Sequence, residues 1–119
     1  RAGGGSRYRG SRDAYGATVT FGPFDVDPRQ VFYATDLSLA IVNLKPLVKG
    51  HVLVVPKRVA PRLADLDDDE HADLWRAARA VTAMITEYYG VSAANLAVQD
   101  GRAAGQSVPH AHVHILPRS

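Results

Sequence analysis

Between Asp67 and Tyr89 the apolar residues Leu74, Ala78, Val81, Ile85 and Tyr88 recur at spacings of three and four, the mark of a helix that buries one stripe. Asp67 followed three residues on by Glu70 has the form of a capping pair, and Gly90 supplies a left-handed stop. The segments on either side are shorter and denser in apolar residues. Val31 to Tyr33, Leu37 to Asn43 and His51 to Val55 read as strands, separated by breaks at Asp36 and at Lys45-Pro46 to Gly50. Phe21, Phe24 and Val26, interrupted by Gly22-Pro23, predict a segment along the edge of the body, ended by Asp27-Pro28. After the helix, Asn95 to Gln99 and then His110 to Ile115 predict two closing strands around an Asp100-Gly101 turn. Strands, one long helix and strands again, without strict alternation, define an α+β domain. Its sheet is mainly antiparallel, with the helix of about residues 67–89 packed on one face. No internal repeat is visible.

The last strand carries the chemistry. His110, His112 and His114 alternate with Ala111, Val113 and Ile115, so three imidazoles share one face and three apolar side chains take the other, against the helix stripe. Three ligands on one ion is a poor reading, because the Cα atoms of His110 and His114 on a straight strand lie about 13 Å apart. Two of them with His51 or His71 would be needed for a zinc site. The run Asp67 to Glu70 is no better a metal site, since four consecutive acids point around a helix and favour its positive end instead. Nucleophilic catalysis on phosphorus suits the imidazoles better, with His112, flanked on both sides, as the attacking group. The preceding turn offers backbone N–H groups, the Gln106 amide and the Ser107 hydroxyl as donors to phosphate oxygens, and Gly105 allows close approach.

Composition narrows the picture. A chain of 119 residues is one ordinary domain. It has no cysteine, which excludes disulfides, thiolate nucleophiles and cysteine-based zinc sites, and fits a reducing compartment. The formal charge of +2 hides about +4 on the first dozen residues, from Arg1, Arg7, Arg9 and Arg12, and about −2 on the rest. Residues 1–18, rich in Gly, Ser and Arg, are expected to form a flexible arm, and residues 19–119 the folded domain. No apolar run is long enough to span a membrane and no signal-peptide core is present, so no membrane partner is expected. The absence of an initial methionine fits a processed or trimmed end.

The run His110-Ala111-His112-Val113-His114-Ile115, completed by Leu116, resembles the His-φ-His-φ-His-φ-φ signature of the histidine triad (HIT) superfamily, φ being apolar. Phe21-Gly22, Val42-Asn43-Leu44-Lys45-Pro46, Gly50-His51-Val52-Leu53-Val54, Gln99-Asp100-Gly101 and Ala104-Gly105-Gln106-Ser107-Val108 resemble the fragile histidine triad (Fhit) branch of that superfamily. The similarity covers about residues 20–118.

The resemblance implies a HIT-like α+β fold and a homodimer whose sheets join into one. It implies a hydrolase of dinucleoside polyphosphates, a bis(5'-adenosyl)-triphosphatase that splits Ap3A into AMP and ADP through a covalent nucleotidyl-histidine. In that reading His112 is the catalytic nucleophile, His114 contacts the phosphates, and His110 and His51 support the array. Asn43 and Gln99 contact nucleoside or substrate, Gly105, Gln106, Ser107 and Val108 form the phosphate-binding turn, and Phe21 and Val26 wall the base pocket. No organic cofactor is implied, and a divalent cation, Mg²⁺ or Mn²⁺, would accompany the polyphosphate. A cytoplasmic location with the nucleus as a second compartment follows, and nucleic acid is not an expected partner. Pro109 stands where the branch often has a basic residue, and Phe24 where a polar substrate contact is expected. The chain ends at Ser119, where the branch continues with a segment that closes over substrate. Two alternatives share the motif: a Hint-like nucleoside phosphoramidase, against which Gln99-Asp100-Gly101 and Pro117-Arg118 weigh, and a nucleotide-binding signalling module with incidental hydrolysis.

Overall fold

A computed structural model describes residues 19–119, so the arm expected over residues 1–18 lies outside the described residues. A five-stranded antiparallel sheet is built from β3 (Val31–Ala34), β4 (Ser38–Val42), β5 (Val52–Pro56), β6 (Ala93–Ala97) and β7 (Val113–Arg118). Their spatial order is β3-β4-β5-β7-β6, and a small hairpin of β1 (Thr20–Phe21) and β2 (Phe24–Asp25) stands apart from it. One long helix, α1 (Asp68–Tyr89), connects β5 to β6. The α+β architecture read from the sequence is therefore the observed one.

The helix forms where its capping signals place it. Asp67 is the N-cap and accepts from the Glu70 backbone N–H at 2.8 Å, while the Glu70 carboxylate accepts from the Asp67 N–H at 2.9 Å. Together they satisfy two of the donors that a helix start leaves open. Glu70 also accepts from Arg58 Nε and Nη2, both at 2.7 Å, which ties the helix start to the chain leaving β5. That ion pair, with the Asp67 N–H, holds the Glu70 carboxyl at about 2. At the other end Gly90 adopts φ 67°, ψ 33° and closes the helix.

Both faces of the sheet are covered. On one, Leu74, Ala77, Ala78, Val81 and Ile85 of α1 pack against Ala40, Val52, Val54, Val113 and Ile115, each buried side chain of Val or Leu size contributing about 1.5–3 kcal/mol. Tyr88 does not join the stripe as its spacing suggested. It is 79% exposed, and its neighbour Tyr89 takes the inward position at the end of the helix, packed against the core and close over Gly50, while Ala77 is a further buried position on the stripe. On the opposite face Leu39, Ile41, Leu53 and Val55 meet Val19 and Val26 from the hairpin region. The register Leu53↔His114 puts His114 on this second face.

Three strands, β3, β4 and β5, lie within one residue of expectation, and two are displaced further. The strand predicted over Asn95 to Gln99 forms two residues earlier, at Ala93–Ala97, and the histidine strand begins at Val113 rather than His110. Before Val113 the backbone makes other bonds: the His110 N–H donates to the Val108 carbonyl and the Ala111 N–H to the Ala60 carbonyl, both at 2.7 Å. Loop partners at that short distance replace the sheet ladder.

Candidate functional site

The alternation of the histidines survives this departure, and their rings form a continuous row on the second face. Phe21 sits between His110 and His112, with ring centroids 5.6 and 4.9 Å away. His112 and His114 are 4.8 Å apart, and His114 and His51 are 5.2 Å apart. His51 precedes β5 and meets His114 because β5 and β7 are neighbours. The β1-β2 turn delivers Phe21, and Gly22 at φ 59° brings its N–H within 2.8 Å of His110 Nδ1.

Backbone groups decide where each ring carries its proton. The Gly22 N–H donates to His110 Nδ1, which leaves His110 Nε2–H to donate to the Pro56 carbonyl at 2.7 Å. His112 faces the His110 carbonyl at 2.6 Å, an acceptor only, so His112 Nδ1 holds the hydrogen and Nε2 the lone pair. The Leu47 N–H donates to His51 Nδ1 at 3.1 Å. His51 Nε2–H then donates to His114 Nδ1 at 3.0 Å, which makes His114 Nε2 the N–H of that ring. The Asn43 Oδ1 accepts from the Lys45 N–H at 3.1 Å, which makes its Nδ2 a donor; that nitrogen stands 3.2 Å from His51 Nδ1 and 3.3 Å from Nε2, beside the ring without choosing between its nitrogens. Two outputs result: a free lone pair on His112 and a fixed donor on His114. The His114 Nε2 is buried without a partner among the described residues.

Burial keeps these rings uncharged. It is the first cause that lowers His51, His110 and His112 below the usual 6.5, and it brings His114 down to about 4, with the neighbouring imidazoles His112 and His51 adding to it. An unfolded chain takes up protons near pH 6.5 while the folded site resists, so stability is full above 6.5 and is lost as pH falls toward 4. Urea midpoints are expected to be level from pH 8 to 7 and to drop between pH 6.5 and 4.5.

A pocket of about 540 Å³ opens over the row, within the range of sites for molecules of nucleotide size. Phe21, Val26, Ile41 and Leu53 give it an apolar end, and Asn43, Gln99, Ser107, Val108, His112 and His114 line it as well. His51 stands behind His114 and His110 behind Phe21. Gln99 lies over Gly105: a Cβ on Gly105 would approach Gln99 Nε2 to 2.6 Å, at a backbone φ of 95°. Gly105→Ala is therefore expected to displace the Gln99 amide and to cost about 1–2 kcal/mol of stability, read as a lower denaturation midpoint than that of Gln99→Ala.

Gln106 occupies a different place from the one its sequence position suggested. Its Oε1 accepts from the Gly101 N–H at 2.7 Å, and its Nε2 donates to the Pro61 and Val108 carbonyls at 2.7 and 2.9 Å. Both amide hydrogens are thus committed to backbone, and Gln106 shapes the turn from outside the pocket. Conversely, Ile41, Leu53, Lys45, Asp25 and Gln30 line the pocket without having been singled out. For Ile41 and Leu53 a signal was present, because period-two alternation places both on the face of His114. Among the described residues no group of three or more His, Asp or Glu side chains is arranged to hold a metal ion.

An antiparallel sheet with one long helix, carrying a row of four imidazoles, three bonded to backbone groups and the fourth to its neighbour, under a nucleotide-sized pocket, is the arrangement of a histidine triad domain. The chain belongs to that family: the HIT domain model matches residues 25–119. It is 53% identical over 102 residues to the bifunctional bis(5'-adenosyl)-triphosphatase/adenylylsulfatase FHIT of Arabidopsis thaliana, covering 86% of this chain and 57% of the relative. Identity to the asymmetrical bis(5'-nucleosyl)-tetraphosphatase of Schizosaccharomyces pombe is 55% over 89 residues, covering 75% of this chain and 49% of that protein. The crystal structure of the C. elegans NitFhit protein superposes with a TM-score of 0.86 at 47% identity, over 92% of this chain and 26% of that one. The chain thus spans about half the length of these two enzymes, and the Fhit character read from its motifs is shared by its relatives. No helix among the described residues is long and apolar enough to cross a membrane.

Proposed function

We propose that the chain is a dinucleoside polyphosphate hydrolase that splits Ap3A into AMP and ADP by way of a nucleotidyl-His112. The observation that carries this reading is the pairing at His112 and His114: a lone pair on one ring and, beside it, a buried N–H without a partner among the described residues. A buried donor left unpaired costs about 1–3 kcal/mol, and a phosphate oxygen is the acceptor that would relieve it. His112 Nε2 attacks the α-phosphorus, an N–P bond forms, and the bond from phosphorus to the bridging oxygen breaks as ADP departs. The ring now carries positive charge, which the His110 carbonyl steadies through Nδ1–H. Water then attacks phosphorus and releases a proton to solvent, the N–P bond breaks, AMP leaves and Nε2 regains its lone pair. His114 Nε2–H holds a non-bridging oxygen in both steps. Gln99 and Ser107, which make no side-chain hydrogen bonds among the described residues, are free to contact the phosphates, while Phe21 and Val26 enclose the base.

The same reading takes a divalent cation, Mg²⁺ or Mn²⁺, as part of the substrate, bound to the polyphosphate. It also includes a homodimer. Support for that comes from β6, an edge strand, and from an apolar depression between α1 and β6 lined by Trp75, Ala78, Thr82, Ala83 and the exposed Leu96. Sedimentation equilibrium would measure a single-chain mass if this face stays bare.

The test of the activity is incubation with Ap3A followed by chromatography and intact-mass measurement. Equal AMP and ADP, with a transient adduct of one AMP on the protein, is the expected result. Unaltered Ap3A at high protein concentration would remove the proposal.

A further inference from the structure

A second cleft, of about 580 Å³, lies next to the histidine pocket. Ser107 lines both and is their shared wall. The other lining residues of the second cleft include Arg62, Gly101 and Arg102. Arg62 comes from the loop between β5 and α1, and Arg102 from the 3-10 turn Arg102–Ala104, so two remote segments bring arginines to one opening.

The Arg62 guanidinium is set in place. Its Nε donates to Asp100 Oδ1 at 3.2 Å, and the same oxygen accepts from the Leu63 N–H at 2.9 Å. Its flat end lies over Gly101, where a Cβ would stand 2.9 Å from Cζ, 3.0 Å from Nη1 and 3.1 Å from Nη2. Gly101 has φ 110° and its N–H is held by Gln106, so the backbone forms a shelf that bears no side chain of its own and leaves room for that guanidinium. Nη1 and Nη2 have no hydrogen-bond partner among the described residues, and neither has the Arg102 side chain. Asp100 balances only one of the two charges. A guanidinium fixed through Nε with both terminal nitrogens open is a fork suited to two oxygens of a phosphate group.

We infer that this cleft is a second phosphate subsite, in which Arg62 and Arg102 hold the phosphates beyond the α-phosphate, on the leaving-group side. The inference rests on the nucleotidyl transfer proposed above and extends it. With the α-phosphate over His112 and the base against Phe21, the remaining chain crosses Ser107 and enters the cleft. The two arginines then neutralise the anion that departs when the bridging bond breaks, and longer polyphosphates engage them more fully.

Two substrates with the same AMP group separate this inference from the reading beneath it. Ap4A releases a nucleoside triphosphate, whereas the 4-nitrophenyl ester of AMP releases a group with no phosphate. Arg62→Gln and Arg102→Ala are each expected to lower kcat/KM for Ap4A about tenfold or more, and to leave the ester within about twofold. Equal losses on both substrates, or on neither, overturn the inference. If the unaltered protein turns over neither substrate, the activity proposal fails instead, and inorganic tripolyphosphate decides the cleft alone. Calorimetric binding weakened about tenfold by Arg102→Ala supports the subsite, and absent or unchanged binding overturns it. Arg102→Ala changes an exposed side chain, so it keeps the test decisive even if Arg62→Gln loosens the fold through Asp100.

Discussion

Replacing His112 with asparagine is expected to lower Ap3A turnover by about 10⁴-fold or more, the scale on which a lost nucleophile acts. Asparagine can still donate to the His110 carbonyl, but it has no lone-pair nitrogen to bond phosphorus. The fold should tolerate the change, since His112 makes one side-chain hydrogen bond among the described residues and borders the open pocket. Stopped assays followed by chromatography of AMP and ADP give the turnover, and the transient mass adduct should vanish with it. Residual turnover within about tenfold of the unaltered protein would mean that another group attacks phosphorus.

His110→Ala is expected to act on stability rather than on chemistry. The ring is fully buried and joins the Gly22 N–H to the Pro56 carbonyl. Its loss leaves a cavity and deprives two backbone groups of their partner, which together cost about 3–5 kcal/mol. For a domain of this size the melting temperature should fall by more than about 10 °C. Phe21 would lose a ring neighbour and the hairpin its tether, so KM should rise as well. A melting temperature within about 2 °C of the unaltered protein would show that the hairpin does not depend on this clasp.

The helix and most of the sheet were legible because local chemistry agrees with them. The Asp67-Glu70 pair, Gly90 and the β-branched runs at Ser38–Val42 and Val52–Pro56 each lead to the element observed. The end of the helix was less so: Tyr88 keeps the spacing of the stripe, and that Tyr89 instead turns toward the core is a tertiary matter. The start of the last strand was hidden for a similar reason, as only the folded chain shows that the Ala60 carbonyl takes the Ala111 N–H.

At the site, alternation was enough to find the imidazole row, and the motif resemblance added Asn43 and Gln99, whose residue types alone suggest caps and turns. Three features were beyond either route. The Gly22 to His110 bond spans 88 residues, and no periodicity foretells it. Gln106 looked like a phosphate donor because glutamine is one when free, and only the positions of Pro61, Gly101 and Val108 reveal that it is fully engaged. The direction of the His51 to His114 hydrogen bond depends on the Leu47 N–H, and so on the path of a loop.

That dependence on main-chain atoms has an outcome for how the domain can vary. An amide or carbonyl is present whatever side chain it bears, so Leu47, whose side chain is exposed, can be exchanged for many residues while the protons on the rings stay where they are; the carbonyl of the buried Pro56 asks only for a residue that fits the core. Drift in the surrounding sequence is filtered by loop length and backbone direction, with Gly22 as the exception, since its left-handed turn narrows the choice. An inserted residue between Asn43 and His51 would then disarm the centre more surely than most replacements there, although every imidazole would still be encoded.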